Sequence, residues 1–218
     1  MTRKIYLSPS NQINNLYAYG STNEAVQCRK IAAACKAALE RCGFEVKTNY
    51  KDGSNAMYER VAESNNWGAD LHVCIHTNAF NGTVSGTRLM AHDTSGKGYQ
   101  ACKAIFNALA PITPGTSENI SAHPELYEIR KANAPTAYCE CEFHDVPRVA
   151  KWIVEHTTEI GEAIAKGICN YFGVTYKAAS ASNKIYKIQI GAFKVRANAE
   201  AMLAKLKAAG FDGYIKQE

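Results

Sequence analysis

The chain has 218 residues, 46% of them hydrophobic and 21% charged, room for one sizeable domain and something small besides, and a composition that excludes a largely disordered or fibrous protein. No run approaches the roughly 18 apolar residues of a membrane span, and the opening MTRKIYLSPS lacks a signal-peptide core, so a soluble chain made in the cytoplasm is expected. The net charge of +5 lies wholly in the tail: residues 175–218 hold eight Lys/Arg against three Asp/Glu, leaving seventeen of each before them.

KIYLS (4–8) reads as a short strand entering the polar turn SPSNQINN. TNEAVQCRKIAAACKAALERCG then carries apolar residues at helical spacing, with Thr22 or Asn23 as cap and Gly43 as stop. FEVKTNY is a second strand, SNAMYERVAESNNWG a second helix, and ADLHVCIHTNA a third strand ending in a polar loop. GTRLMAH makes another strand, GKGYQACKAIFNALA a helix, and SENISAHPELYEIRK a loop. PTAYCECEFHD follows as a central strand, and VAKWIVEHTTEIGEAIAKGICNYFG as one long closing helix. The alternation predicts an α/β fold, a single mostly parallel twisted sheet with helices on both faces. TYKAASASN breaks the composition, giving a domain over 1–174, a linker over 175–183 and a β-α-β piece over 184–218.

Cys28, Cys35 and Cys42 recur every seven residues, about 10 Å apart on one helical stripe and too far apart to bridge. With Cys139 and Cys141 facing away from Glu140 on their strand, they read as reduced core thiols.

Ligands of open α/β sheets collect beyond the carboxyl ends of the strands, which directs attention to Ser8–Gln12, His76–Asn78 and Glu140–Asp145. A hydrolytic zinc site needs about three N/O ligands and a nearby carboxylate that takes a proton. Glu24, opening the first helix, could serve or could simply complement the helix dipole. His76 ends a strand. Glu140 stands in a hydrophobic strand, where a carboxylate is costly to bury unless paired or functional, and Glu142 on the same face would push one of the two pKa values upward. His72 shares a face with His76 two pleats deeper and reads as a satisfied core histidine. His92, His123 and His156 read as surface or loop residues, His123 with a place beside a substrate groove.

These residues match a pattern. RVAESNNWGADLHVCIHTNA resembles the Arg, Asn, Ala-Asp, Ile-His-x-Asn-Ala signature of the zinc-dependent N-acetylmuramoyl-L-alanine amidases of the third class, in Arg60, Asn65, Ala69, Asp70, Ile75, His76, Asn78 and Ala79. Ser85–Thr87 resembles the small-residue turn that follows, APTAYCECEF the strand carrying the catalytic glutamate, and IGEAIAKGICNYFG the terminal helix. The resemblance covers about residues 3–174. It implies a peptidoglycan amidase without nucleic acid or membrane insertion, acting at the cell wall as an endolysin or autolysin, with Zn2+ held by Glu24 and His76 and Glu140 as general base. Asn78 and Arg130 become candidate substrate contacts, Arg130 for a stem-peptide carboxylate.

The family's turn histidine after the first strand is missing. Strict alignment puts Asn11 there and a one-residue shift puts Gln12, in a Ser-Pro-Ser-x-Gln variant paired with His144-Asp145 further on. Gln12 is the favoured third ligand, or a hydrogen-bonding partner of the attacking water, and His144 is the next candidate. A wall-binding protein with a decayed metal site and a zinc peptidase acting on stem peptides are the alternatives. YKIQIGAF with NAEAMLAKLKAAGF resembles the first half of a sporulation-related repeat, a SPOR-like peptidoglycan-binding module, with Gln189 as a candidate sugar contact.

Overall fold

The computed structural model describes residues 2–179 and 189–216, and the chain divides into two compact units, Met1–Ala179 and Ser180–Glu218. In the first, strands β1 (Lys4–Pro9), β2 (Glu45–Thr48), β3 (Leu71–Asn78), β4 (Arg88–Ala91), β5 (Asn119–Ala122) and β6 (Thr136–Phe143) form one sheet in the order β2-β1-β3-β6-β4-β5. Four of the five pairings are parallel, and β4 runs antiparallel to β6. The mostly parallel α/β sheet expected from the alternation is the one observed.

Period-two alternation gives the sheet two different faces. Ile5, Leu7, Leu71, Val73, Ile75, Ala137, Cys139 and Cys141 point to one side and pack in the main core with α1 (Glu24–Arg41), α3 (Lys97–Leu109) and α6 (Thr157–Phe172). The intervening Tyr6, Ser8, His72, Cys74, His76, Tyr138, Glu140 and Glu142 point to the other. That second face is covered by α2 (Ala56–Trp67) and α4 (Tyr127–Lys131): Tyr6 Oη donates to Glu63 of α2 at 2.6 Å, and Ser8 Oγ donates to Glu128 of α4 at 2.5 Å. One face is therefore an apolar core and the other a buried polar layer. All eight cysteines are buried free thiols, Cys28, Cys35 and Cys42 along the inner side of α1.

The helix start is set by Asn23, whose side chain accepts from Val26 N at 3.0 Å, and α1 ends before Gly43, which takes a left-handed φ of 91°. Gly161 and Gly167 of α6 let that helix lie directly on α1 and α3. A Cβ at Gly167 would come 2.4 Å from Ile105 Cα, and one at Gly161 2.5 Å from Ile31 O.

Three sequence expectations need correction. The closing helix is two, α5 (Pro147–Glu155) and α6, because His156 leaves helical geometry at φ −122°, ψ 24°. The SENISAHPELYEIRK segment is not simply a loop: it holds β5, paired in parallel to β4, and the short helix α4. In the second unit, FDGYIKQE forms no strand over the described residues 211–216, and α7 (Arg196–Ala208) stands with no buried residue. Of the expected strand over KIYKIQIGAF, residues 184–188 lie outside the described residues and 189–193 form no strand. Beyond α6, the Tyr176 hydroxyl donates to Glu162, and Lys177 O accepts from Arg41 Nε at 2.7 Å, so the first part of the segment read as a linker is tied to α1 and α6. No helix among the described residues is long and apolar enough to cross a membrane.

Candidate active site at the strand ends

β1, β3 and β6 lie side by side and end together, so the turn after β1, His76 and Glu140 meet at one edge of the polar face. His76 and Glu140 are direct partners in the β3–β6 register. Glu24 reaches them because the segment after β1 folds back: Glu24 N donates to Asn15 O at 2.9 Å, bringing the first turn of α1 over the end of β3. Its Oε1 then lies 2.8 Å from His76 Nδ1, and its Oε2 accepts from Asn15 Nδ2 at 2.7 Å.

The turn places its two candidate residues differently. Asn11 is drawn away, donating to Gly53 O at 2.9 Å, whereas Gln12 Nε2 comes within 3.4 Å of His76 Nδ1. Asn15 Nδ2 also donates to Gln12 Oε1 at 2.8 Å, so a single amide ties Gln12 and Glu24 together. Tyr138 stacks on His76 at 4.6 Å between ring centroids and fixes its plane.

Electrostatics at this edge are unbalanced. Burial opposes ionisation of Glu24, but hydrogen bonds from His76, Asn15 and Ser10 hold its carboxyl below the usual range. Burial likewise opposes the charged form of His76, and the bonded Glu24 carboxylate outweighs it, raising the imidazole. Glu140 is pushed up to about 8 by burial, with Glu24 adding to the rise and His76 working against it. Its Oε2 is out of reach of solvent and has no hydrogen-bond partner. The cause is burial, not the expected like-charge pairing with Glu142. That residue is occupied elsewhere: its two oxygens accept from the backbone N–H groups of Gly115 at 2.7 Å and Gly86 at 2.8 Å, clamping the small-residue turn before β4.

A metal fits these residues by donor type and by what is missing. A carboxylate, an imidazole and a carboxamide converge beside a second buried carboxylate with an orphaned oxygen, and one histidine is all the positive charge the cluster has. Zinc takes such N and O donors, and a divalent cation would compensate both glutamates. A second donor group lies deeper on the same face: His72, Cys74 and Glu128, all buried, with ligand atoms within 4.8 Å of one another. His72 Nε2 is 3.2 Å from Glu128 Oε1, and the ring stacks on Tyr6. The H-x-C-x-H alternation of β3 already puts Cys74 between the two histidines on one face. Nothing in the local sequence points to Glu128, because only the crossing of α4 over the sheet brings it there.

Other expected residues sit apart. His144 turns to the opposite side of β3, its Nδ1 3.0 Å from both Thr77 Oγ1 and Thr77 O, its ring stacked on Tyr17, and burial lowers its pKa. Arg130 is exposed on α4 and lines neither cavity described here. His123 is bonded to Glu125 and Ser121 and likewise stays outside. Two cavities flank the His76–Glu140 edge. A cleft of about 230 Å3 is lined by Asn11, Gln12, Met57, His76, Tyr127 and Tyr138, among others. A smaller one of about 160 Å3 opens past the ends of β3 and β6 between Asn78, Phe80, Arg88 and Phe143. Asp145 shapes its rim by accepting from Phe80 N and Gly82 N, both at 2.8 Å.

Comparison with known proteins gives a consistent picture. A family model described as N-acetylmuramoyl-L-alanine amidase matches residues 11–170, and a SPOR domain model matches residues 182–218. The chain is 23% identical over 224 residues to the sporulation-specific N-acetylmuramoyl-L-alanine amidase of Bacillus subtilis (strain 168), covering 97% of this chain and 84% of that one. It is 24% identical over 164 residues to the amidase CwlM of Bacillus licheniformis, covering 75% of this chain and 63% of that one. Among solved structures it resembles the catalytic domain of CwlV from Bacillus (Paenibacillus) polymyxa var. colistinus, with a TM-score of 0.71 at 16% identity, over 80% of this chain and all of that one. The CwlD amidase of Clostridioides difficile, solved with the GerS lipoprotein, gives 0.68 at 19% identity, over 79% and 99% of the two chains.

Proposed function

Because the chain belongs to the N-acetylmuramoyl-L-alanine amidase family and carries a SPOR domain behind that region, we propose that it hydrolyses the amide between the lactyl group of N-acetylmuramic acid and L-alanine in peptidoglycan. Glu24, His76 and Gln12 would hold Zn2+, with Glu140 as the general base. The observation that carries this reading is the buried, unpartnered Oε2 of Glu140 directly across the register from the Glu24–His76 pair.

Zinc, when bound, supplies Lewis acidity, polarising the scissile carbonyl and lowering the pKa of water. The protein's own groups do the rest. Tyr138 holds the imidazole plane of His76, and Asn15 holds Glu24 in place. Gln12 faces His76 through its amide nitrogen, so serving a cation requires the carboxamide to turn its oxygen inward. Glu140 takes a proton from the attacking water and returns it to the alanine nitrogen as the C–N bond breaks, leaving a carboxylate on the sugar and a free amine on the peptide. The deeper His72–Cys74–Glu128 group supports the layer beneath: its thiol is held protonated by burial and by the neighbouring carboxylate.

The test is metal analysis of the full chain together with digestion of purified walls. About one zinc per chain and new alanine amino termini are expected; no zinc and no new termini would overturn the reading, and termini other than alanine would make the enzyme a stem peptidase. For the third ligand, Gln12→Ala should lower zinc occupancy at limiting metal by about tenfold or more, in the range seen when coordination shells are disturbed. His144→Ala should leave occupancy unchanged. Equal occupancy in wild type and Gln12→Ala would remove Gln12 from the site. In the second unit Gln189 is exposed, and as a sugar contact its replacement by Ala should weaken retention on walls without altering hydrolysis of soluble fragments.

A further inference from the structure

The cavity between Asn78, Phe80, Arg88 and Phe143 has a property the larger cleft lacks. Arg88 is the antiparallel register partner of Glu140, so its backbone is fixed one strand away from the proposed base. Its guanidinium lies 5.4 Å above the Phe143 ring, and one arm donates to Ser117 Oγ at 2.8 Å. Its side chain lines the cavity, and no carboxylate among the described residues forms an ion pair with it. A guanidinium without an ionic partner is a site for a charge-assisted hydrogen bond to an anion.

The two cavities thus differ in charge on either side of the reaction edge. The larger is lined by amides and aromatic rings from Asn11, Gln12, Tyr127 and Tyr138 together with His76 and the Glu128 carboxylate; the smaller is lined by Arg88, with the Asp145 carboxylate engaged by backbone N–H groups at its rim. Resting on the reading that the substrate is peptidoglycan, the assignment of ends follows from its chemistry. N-acetylated sugars carry no charge, and the lactyl carboxyl is consumed in the scissile amide, so the substrate's anions all lie on the peptide. We propose that the Arg88 cavity is the stem-peptide subsite and that Arg88 binds the free carboxylate of the acidic residue following the alanine. The substrate then runs with its sugars toward Tyr127 and Tyr138 and its peptide toward Phe80. Arg88 is a specificity residue and takes no part in bond breaking.

The experiment uses the full chain, wild type and Arg88→Gln, with paired muramoyl peptides carrying either a free carboxylate or its primary amide at that second residue. Wild type should favour the carboxylate substrate through KM. Arg88→Gln should raise KM for it about 10- to 100-fold, the size of a charge-assisted hydrogen bond, with kcat and the amide substrate within twofold of wild type. Arg88→Lys should recover part of the preference. Titration of the free stem peptides L-alanyl-γ-D-glutamyl-lysine and its amide by calorimetry reads the same selectivity without turnover. If wild type cleaves neither substrate, the hydrolase reading fails and the calorimetry still decides this one. Equal binding of the two peptides by wild type, or an equal loss on both substrates in Arg88→Gln, would overturn the assignment.

Discussion

Glu140→Gln is expected to reduce hydrolysis of muramoyl peptides by about 10²- to 10⁴-fold, the usual contribution of a positioned base, while zinc content stays at the wild-type level. The two side chains have the same shape, so no cavity opens. The amide is neutral, and burial raises the pKa of Glu140 to about 8, so removing its charge should leave the variant with at least wild-type stability. What disappears is the capacity to accept a proton at Oε2, the atom that has no partner in the folded protein. Turnover, metal analysis and thermal unfolding on the same preparation separate the possibilities. Activity within a few-fold of wild type would remove Glu140 from the chemistry; loss of zinc would make it a ligand instead of a base.

The part of this site most legible in the sequence is announced by a conflict within its own element. A glutamate inside PTAYCECEF violates the hydrophobic pattern of its strand, and alternation alone places it opposite Cys139 and Cys141, as the core confirms. His76 was found by strand-end position and resemblance together. Asn11 and Gln12 are not distinguished locally, because their placement depends on the path of the turn, where Asn11 donates to Gly53 forty-two residues away. Glu142 was misjudged for the same reason. Its partners are backbone N–H groups of Gly86 and Gly115, which no pairwise reading of side chains would supply. Arg130 was a plausible cation in a plausible loop, but the segment folds into α4 and leaves it exposed, while Arg88, unremarked in a four-residue strand, is carried to the edge by antiparallel pairing with β6.

The fold was legible because period-two and helical patterns are local. The break at His156 was missed because both α5 and α6 are amphipathic, and a turn between two helices of the same periodicity leaves little trace in sequence. The two glycines of α6 were similarly silent, read only as part of a terminal helix resembling that of a family.

Those glycines carry the largest expected effect on stability. In an isolated helix, alanine is favoured over glycine by about 1 kcal/mol, so Gly167→Ala and Gly161→Ala would be stabilising if α6 were free. It is not. The new methyl at 167 would press on Ile105 Cα at 2.4 Å and Ala104 O at 2.9 Å, and that at 161 on Ile31 O at 2.5 Å and Cys35 N at 2.8 Å. These are backbone atoms of α3 and α1 and cannot be relieved by a rotamer change. Each substitution should therefore cost about 3 kcal/mol or more, the upper end of overpacking penalties, seen as a lower urea midpoint at unchanged slope. Gly173→Ala is the control: nothing lies within 4 Å of the added carbon, and only its φ of 66° is unfavourable, so about 1 kcal/mol is expected. A loss at Gly167 no greater than at Gly173 would mean that α6 does not depend on this close approach.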